Sequence, residues 1–260
     1  MGPDPLDSPP PRVERFFDAL LARDGAGGSW LGPLLCAAPN GPARFGELAE
    51  HPGWLEAPIA VHTETGRRGA FEYPASPPRG LLGWFIDHPH TLSRSEQESA
   101  SAETVRLHRA LLDDDPPGAR ARAQDRAHDL LRRSAPFADA WWRFEEAHTA
   151  DCLLMTSRLV LMVQARDEGV APPPATPWFP GRTALVRDLE AARRFGEGGK
   201  AWGVLVLGTP DRPEDADALT REIAAGAPHL DAAERHELAA GYLGALSWAQ
   251  ATAATGAPAP

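Results

Sequence analysis

Two groups of polar residues lie at the ends of apolar runs in the second half of the chain. Asp151 opens the run that ends at Met155, and Gln164-Ala165-Arg166 follows the run that starts at Leu159. Two apolar runs joined by a short turn are typical of neighbouring strands, which would bring these side chains together. Carboxylate and amide oxygens bind hard cations such as Mg²⁺, and a guanidinium can hold a phosphate through two hydrogen bonds.

The elements that would position these residues follow a regular order. Apolar or aromatic content predicts strands over four ranges: Trp141–Glu145, Asp151–Met155, Leu159–Ala165 and Ala201–Leu207. Helical spacing of apolar residues predicts helices over Ala119–Arg133, before the first strand, and over Thr183–Phe195, before the last. The predicted fold class is α/β (α+β), with a mixed central β-sheet flanked by helices and an α-β-β-β-α-β core.

With Asp151 at one strand start and Gln164-Ala165-Arg166 at the next strand end, this order resembles the core of the PD-(D/E)XK, or restriction-endonuclease-like, superfamily. The resemblance covers residues 119–208. It implies Mg²⁺- or Mn²⁺-dependent hydrolysis of phosphodiester bonds in nucleic acid. It also implies that Asp151, Glu145 and Gln164 are the metal ligands, and that Arg166 joins them as a catalytic residue that stabilises the phosphoryl charge.

The chain departs from the motif of that superfamily at two positions. Gln164 stands where the motif has an acidic residue, so the site loses one negative charge. Arg166 stands where the motif has lysine, and an arginine stays protonated and cannot act as a base. The only lysine, Lys200, precedes the last predicted strand. These departures support an alternative hypothesis, in which the chain is a catalytically inactive nuclease-fold module for binding or assembly.

Structural interpretations of the same residues remain open. Asp151 is also suited to capping a turn, Gln164 to a strand end, and Arg166 to a solvated surface. Glu145 is an alternative source of the missing carboxylate or a surface residue, and His148 is a weaker candidate for a proton shuttle. An unrelated α/β domain whose strands match by chance is a third hypothesis.

The flanking regions carry less functional signal. We place a boundary at residue 118, between a mostly helical, proline-rich region (1–118) and the nuclease-like core with C-terminal helices (119–260). Three helices and one short strand are predicted in the first region, over these ranges: Arg12–Arg23, Arg79–His88, Glu103–Leu112 and Ile59–Thr63. In the second region, a capping box at Asp231 opens a predicted helix that carries Leu238, Tyr242, Leu243 and Leu246 on one face. Gly241 and Gly244 are positions at which this helix could be split.

Composition limits the classes of function. The formal net charge is −10, so any nucleic acid partner has to be met by a local basic group or a bound cation. Two cysteines cannot form a disulfide framework, and the chain has no apolar run of membrane-spanning length and no signal-peptide pattern. We therefore expect a cytoplasmic protein with no membrane association. The sequence does not predict the oligomeric state.

Overall fold

The computed structural model of the protein describes residues 12–49, 60–63, 75–93, 101–133, 141–166, 176–208 and 215–258. Within these residues a five-stranded sheet forms the centre of the fold. Its strands are β1 (Ala60–Thr63), β2 (Cys152–Met155), β3 (Leu159–Arg166), β4 (Ala201–Gly208) and β5 (Tyr242–Leu246), in the spatial order β1-β2-β3-β4-β5. The first three strands are antiparallel, and β3, β4 and β5 are parallel. The predicted mixed sheet is therefore confirmed.

Helices cover both faces of the sheet and account for much of the remaining described chain. They are α1 (Arg12–Arg23), α2 (Leu31–Ala37), α3 (Gly41–Ala49), α4 (Arg79–Asp87), α5 (Ala102–Leu112), α6 (Ala119–Arg133), α7 (Ala184–Phe195), α8 (Ala216–Gly226), α9 (Ala232–Ala240) and α10 (Trp248–Thr255). The helices predicted at 12–23, 79–88, 103–112, 119–133 and 183–195 are confirmed to within a residue at each end.

Strand β3 is apolar on both faces because a helical layer covers each of them. Its odd-numbered residues pack in a cluster with α1, α2 and α10, as Leu161 and Val163 do. Its even-numbered residues pack in a second cluster with α7, as Val160 and Met162 do. A parallel strand that is buried on both sides has to be apolar at successive positions, which explains why the sequence pattern is continuous. Gln164 continues the even-numbered series and therefore lies on the α7 face.

The strand predicted at Trp141–Glu145 is wrong. Residues 141–145 begin with a short 3-10 turn and continue as irregular chain. Trp141, Trp142 and Phe144 are aromatic because they fill a third cluster with α4 and α6, away from the sheet. The first of the three antiparallel strands is instead β1. It pairs directly with β2, although helices α4, α5 and α6 lie between the two strands in sequence.

The leading helix of the predicted core is also placed differently. Helix α6, predicted as that element, packs on α4 and α5. Helix α1 takes the place against the sheet, where Phe16 and Leu20 share a cluster with Cys152 and Leu154. The sheet thus carries α1, α2 and α10 on one face and α7 on the other. The boundary at residue 118 remains a prediction, although residues from both sides of it share this cluster.

The C-terminal helix predicted to run on to Leu246 is wrong as well. Helix α9 has the predicted capping box at Asp231, but it ends at Ala240. A Cβ at Gly241 would lie 1.9 Å from the Trp202 ring, and Gly244 has a φ of 93°. Gly241 lets the chain pass close to Trp202 where α9 ends, and Gly244 lies within β5, at the irregularity in its pairing with β4. No helix of the described residues is long and apolar enough to cross a membrane.

The close approach at Gly241 predicts a specific loss of stability. We expect Gly241→Ala to lower the free energy of unfolding by about 1–3 kcal/mol, because the buried Trp202 ring has to move. Gly46→Ala is the matched control, since no atom of the described chain lies within 4 Å of its added Cβ. In helix α3 that control should be neutral or stabilising by up to about 1 kcal/mol. Urea unfolding of both variants measures the difference, and equal effects would contradict the packing described.

Candidate functional site

The candidate site lies where β2 begins and β3 ends. Cys152 pairs with Val163 in the antiparallel register, so one further step places Asp151 opposite Gln164. The Asp151 carboxylate crosses to the neighbouring strand, where its Oδ2 accepts a hydrogen bond of 2.7 Å from the backbone N–H of Ala165. Asp151 and the Gln164–Arg166 segment are therefore brought together, as predicted from their positions at strand ends.

Gln164 is buried and uses both ends of its amide. Its Nε2 donates to Oδ2 of Asp188, and its Oε1 accepts from Nη2 of Arg166 at 3.2 Å. A carboxylate at position 164 could not make both contacts, because it has no proton to donate to Asp188. The amide that departs from the nuclease motif is thus the side chain that suits these two neighbours.

Asp188, on α7, was not singled out from the sequence. Its side chain is only 1% exposed, and its second oxygen lies 2.6 Å from Nε2 of His148. His148 is held in turn by backbone hydrogen bonds in both directions with Ala75. One sequence signal does mark Asp188: it stands four residues from Ala184 and from Ala192, on the face of α7 that is otherwise apolar. An acidic residue on a buried helix face needs partners, and these are His148 and Gln164.

Glu145, in the irregular segment before β2, belongs to a separate cluster of buried charges beside α7. Its Oε2 accepts from Nε of Arg182, and its Oε1 accepts from Nε of Arg187 at 3.2 Å. Arg187 also donates to the backbone carbonyl of Glu146. The structure therefore places the Glu145 carboxylate against two guanidinium groups, whereas Asp151 and Gln164 lie at the strand ends.

Arg182 is the centre of that cluster and is 1% exposed. Besides Glu145 it binds Glu190 through Nη1, and Nη1 also donates to the carbonyl of Gly226 at 3.0 Å. Glu190 receives a second partner, Nε2 of His229, at 3.0 Å from its Oε1. Burial would lower the pKa of Arg182, but the charges of Glu190 and Glu145 outweigh it and raise that pKa. Likewise, burial would raise the pKa of Glu190, but His229 and Arg182 hold it below its ordinary value.

No protein-family model, curated protein or solved structure matches this chain. The chemistry of the site therefore has to be argued from its own contacts.

The contacts do not suit the Mg²⁺ site that the resemblance implies. Within the part of the chain that the structure describes, a cation at the strand ends would meet the Asp151 carboxylate and would compete with the Arg166 guanidinium for Gln164 Oε1. Mg²⁺ is held mainly by carboxylate and phosphate oxygens, so a neutral amide and a neighbouring guanidinium at this place weaken such a site. Among the described residues, no group of three or more His, Cys, Asp or Glu side chains is placed to hold a metal. The metal-binding roles of Asp151, Glu145 and Gln164 remain predictions.

Arg182 and Arg187 both contact the Glu145 carboxylate. We predict that they differ greatly in their contributions to the free energy of unfolding. Arg182→Ala should cost about 3–5 kcal/mol of unfolding free energy, because Glu190 and Glu145 both lose their principal buried partner. Arg187→Ala is the matched control and should cost clearly less, since Glu145 keeps Arg182. Chemical unfolding of the two variants tests this, and an equal loss would contradict the central position of Arg182.

Glu190 predicts how stability depends on acid pH. The pKa of Glu190 in the folded protein lies below its ordinary value of 4.5. Above that ordinary value, the ionised carboxylate therefore makes its full contribution to the free energy of unfolding. The contribution is lost as pH falls through the lowered pKa, where the folded state must also take up the proton. Glu190→Gln should therefore be much less stable than the wild type near neutral pH, and the difference should shrink in acid. Thermal unfolding measured across the acid range checks this, and a difference that grows on acidification would rule it out.

Proposed function

We propose that this chain is a nuclease-fold module that binds a phosphodiester strand without cutting it. The observation that carries the proposal is the contact between Arg166 and Gln164 Oε1, which puts a fixed protein cation at the strand ends. In the PD-(D/E)XK superfamily, which the chain resembles, a lysine stands at the position of Arg166, and the acidic residue at the position of Gln164 binds a metal ion. Here that residue is an amide, and its oxygen accepts a hydrogen bond from the guanidinium.

The arrangement of the sheet supports the nuclease-type part of this proposal. Three antiparallel strands, helix α7 and the parallel strand β4 follow in that order, with helices α4, α5 and α6 inserted between β1 and β2. Asp151 and Gln164 then meet at the start of one strand and the end of the next, as the motif requires. The resemblance itself remains a hypothesis, and it depends on this topology more than on the identity of the motif residues.

The side chains at the strand ends support the non-cutting part. Hydrolysis of a phosphodiester needs an activated water, and metal-dependent nucleases obtain it from a bound cation held by carboxylates. Asp151 supplies one carboxylate, while Gln164 is neutral and has both ends of its amide engaged. A guanidinium is not a general base, so Arg166 does not replace the carboxylates in activating a water.

Arg166 is also the group that we propose contacts the strand. It is partly exposed at the carboxyl end of β3, and Gln164 orients its guanidinium. Ligands of open α/β sheets bind outside the carboxyl ends of the strands, where β3 and β4 end side by side. A guanidinium held in this way can donate two hydrogen bonds to one phosphate. Because the chain as a whole is acidic, binding has to depend on such local contacts.

A second candidate function is metal-dependent cleavage of nucleic acid. The contact between Asp151 Oδ2 and the Ala165 amide favours it, because it fixes a carboxylate at the strand ends where the motif has one. A substrate phosphate could then complete the coordination of a weakly held cation.

Two measurements separate these functions. In the presence of Mg²⁺ or Mn²⁺, we expect no cleavage of plasmid DNA, single-stranded DNA or RNA by the purified protein. Fluorescence anisotropy should show binding to at least one of these strands, and Arg166→Ala should weaken it about tenfold, the value of one charge-assisted hydrogen bond. Arg122→Ala, an exposed arginine of α6, is the control and should change binding little.

The outcomes are distinct. Cleavage that disappears in Asp151→Ala would establish the second candidate and contradict the first. Binding that Arg166→Ala leaves unchanged, or the absence of binding to every strand tested, would contradict the proposed role of the strand ends.

A further inference from the structure

Four side chains form a continuous series of hydrogen bonds that ends at Arg166, the proposed strand-binding residue. Nε2 of His148 lies 2.6 Å from Oδ1 of Asp188, and Oδ2 of Asp188 accepts from Nε2 of Gln164. Oε1 of Gln164 then accepts from Nη2 of Arg166 at 3.2 Å. The two middle members, Asp188 and Gln164, are buried, whereas Arg166 is partly exposed. The series therefore connects a buried carboxylate of α7 with a guanidinium at the surface.

The carboxylate of Asp188 determines the direction of every hydrogen bond in the series. A carboxylate only accepts hydrogen bonds, so His148 and Gln164 both have to donate to it. The amide of Gln164 must then turn its NH₂ group towards α7, which leaves its oxygen facing Arg166. In the opposite orientation, the NH₂ group and the guanidinium would face each other as two donors. Asp188 thus selects the one orientation of the amide that can hold Arg166.

We infer that Asp188 is a positioning residue of the strand-binding site, although it does not touch the strand. Its side chain is only 1% exposed, so it acts on the site through Gln164. A guanidinium that is already held in its binding orientation loses less conformational entropy when it meets a phosphate, and it therefore binds more tightly. This inference rests on the proposed function and explains how the principal cation of that site is held.

His148 provides a matched control, because it contacts the other oxygen of the same carboxylate. Its own position is set by two backbone hydrogen bonds with Ala75. His148→Ala removes one partner of a buried carboxylate and should lower the melting temperature. The variant keeps the hydrogen bond between Asp188 and Gln164, so the orientation of Arg166 should be retained. The comparison separates a loss of stability from a loss of positioning.

Strand binding by the full-length protein at pH 8 tests the inference. Fluorescence anisotropy is measured with the DNA or RNA strand that the wild type binds most tightly. Asp188→Ala should weaken binding about fivefold, less than Arg166→Ala does, because the guanidinium remains but is no longer held. His148→Ala should change binding little. In an Arg166→Ala background, Asp188→Ala should have almost no further effect, because the two residues act as one unit.

Two results would overturn the inference. One is a folded Asp188→Ala variant that binds the strand as tightly as the wild type. The other is a loss of equal size with and without the Arg166 side chain, since a purely structural role of Asp188 would give that result.

Asp188→Asn provides a second test, which needs neither the strand nor a change of side-chain shape. While Gln164 keeps its oxygen on Arg166, the new amide has to accept from Gln164 and donate to His148. The His148 ring must then carry its proton on Nδ1 instead of Nε2. At pH 8, ¹⁵N NMR distinguishes the two tautomers, and the ¹⁵N signals of the Arg166 guanidinium report whether it is still held.

We expect the tautomer to change while the Arg166 signals stay as in the wild type. If both the tautomer and the Arg166 signals were unchanged, the direction of the series would not reach Arg166, and the inference would fail. This measurement also separates the inference from the proposed function. A wild-type protein that binds no strand would contradict the proposed function, whereas NMR of the strand-free protein still decides whether Asp188 sets the orientation at Arg166.

Discussion

The carboxylates buried on helix α7 have to be neutralised by partners from other segments, and the arrangement of the site depends on this requirement. Asp188 and Glu190 project from one helix into surroundings where an unpaired charge would cost several kcal/mol. Asp188 draws in Gln164 from the sheet and His148 from the chain that leads into it. Glu190 draws in Arg182 and His229. The pairs fix the position of α7 over the end of β3 more specifically than apolar packing alone would.

This requirement also explains why the residues that depart from the nuclease motif are compatible with a well-packed protein. An amide at position 164 can donate to Asp188 and accept from Arg166 at the same time, whereas a glutamate could not. The end of β3 is therefore held by internal hydrogen bonds to α7 and to Arg166. Glu145 shows the same tendency, since its buried carboxylate is fully used by Arg182 and Arg187.

The elements with a clear period were predictable from the sequence. Helix α1 and helix α7 follow the helical spacing of their apolar residues, and β3 and β4 follow from uninterrupted apolar runs. The segment Trp141–Glu145 misled because aromatic residues are common both in strands and in helical clusters. Strand β5 was not predicted because the roles of Gly241, at the end of α9, and Gly244, within β5, depend on contacts with Trp202 and Pro39, which are distant in sequence. Of the site, the meeting of Asp151 and Gln164 could be predicted, but Asp188 required knowledge of which face of α7 meets the sheet.

The pairing of β1 with β2 has a consequence for how the chain folds. Helices α4, α5 and α6 lie between these two strands in sequence and have an apolar cluster of their own, built around Phe85 and Trp142. Closing a chain segment of this length adds little entropic cost beyond that of a shorter one, since the cost grows only with the logarithm of length. The local helical contacts should form quickly, while the edge strand has to wait for the antiparallel partner far along the chain. Of the strand pairings, that of β1 with β2 joins the residues farthest apart in sequence, so we expect it to form after the local β2–β3 hairpin.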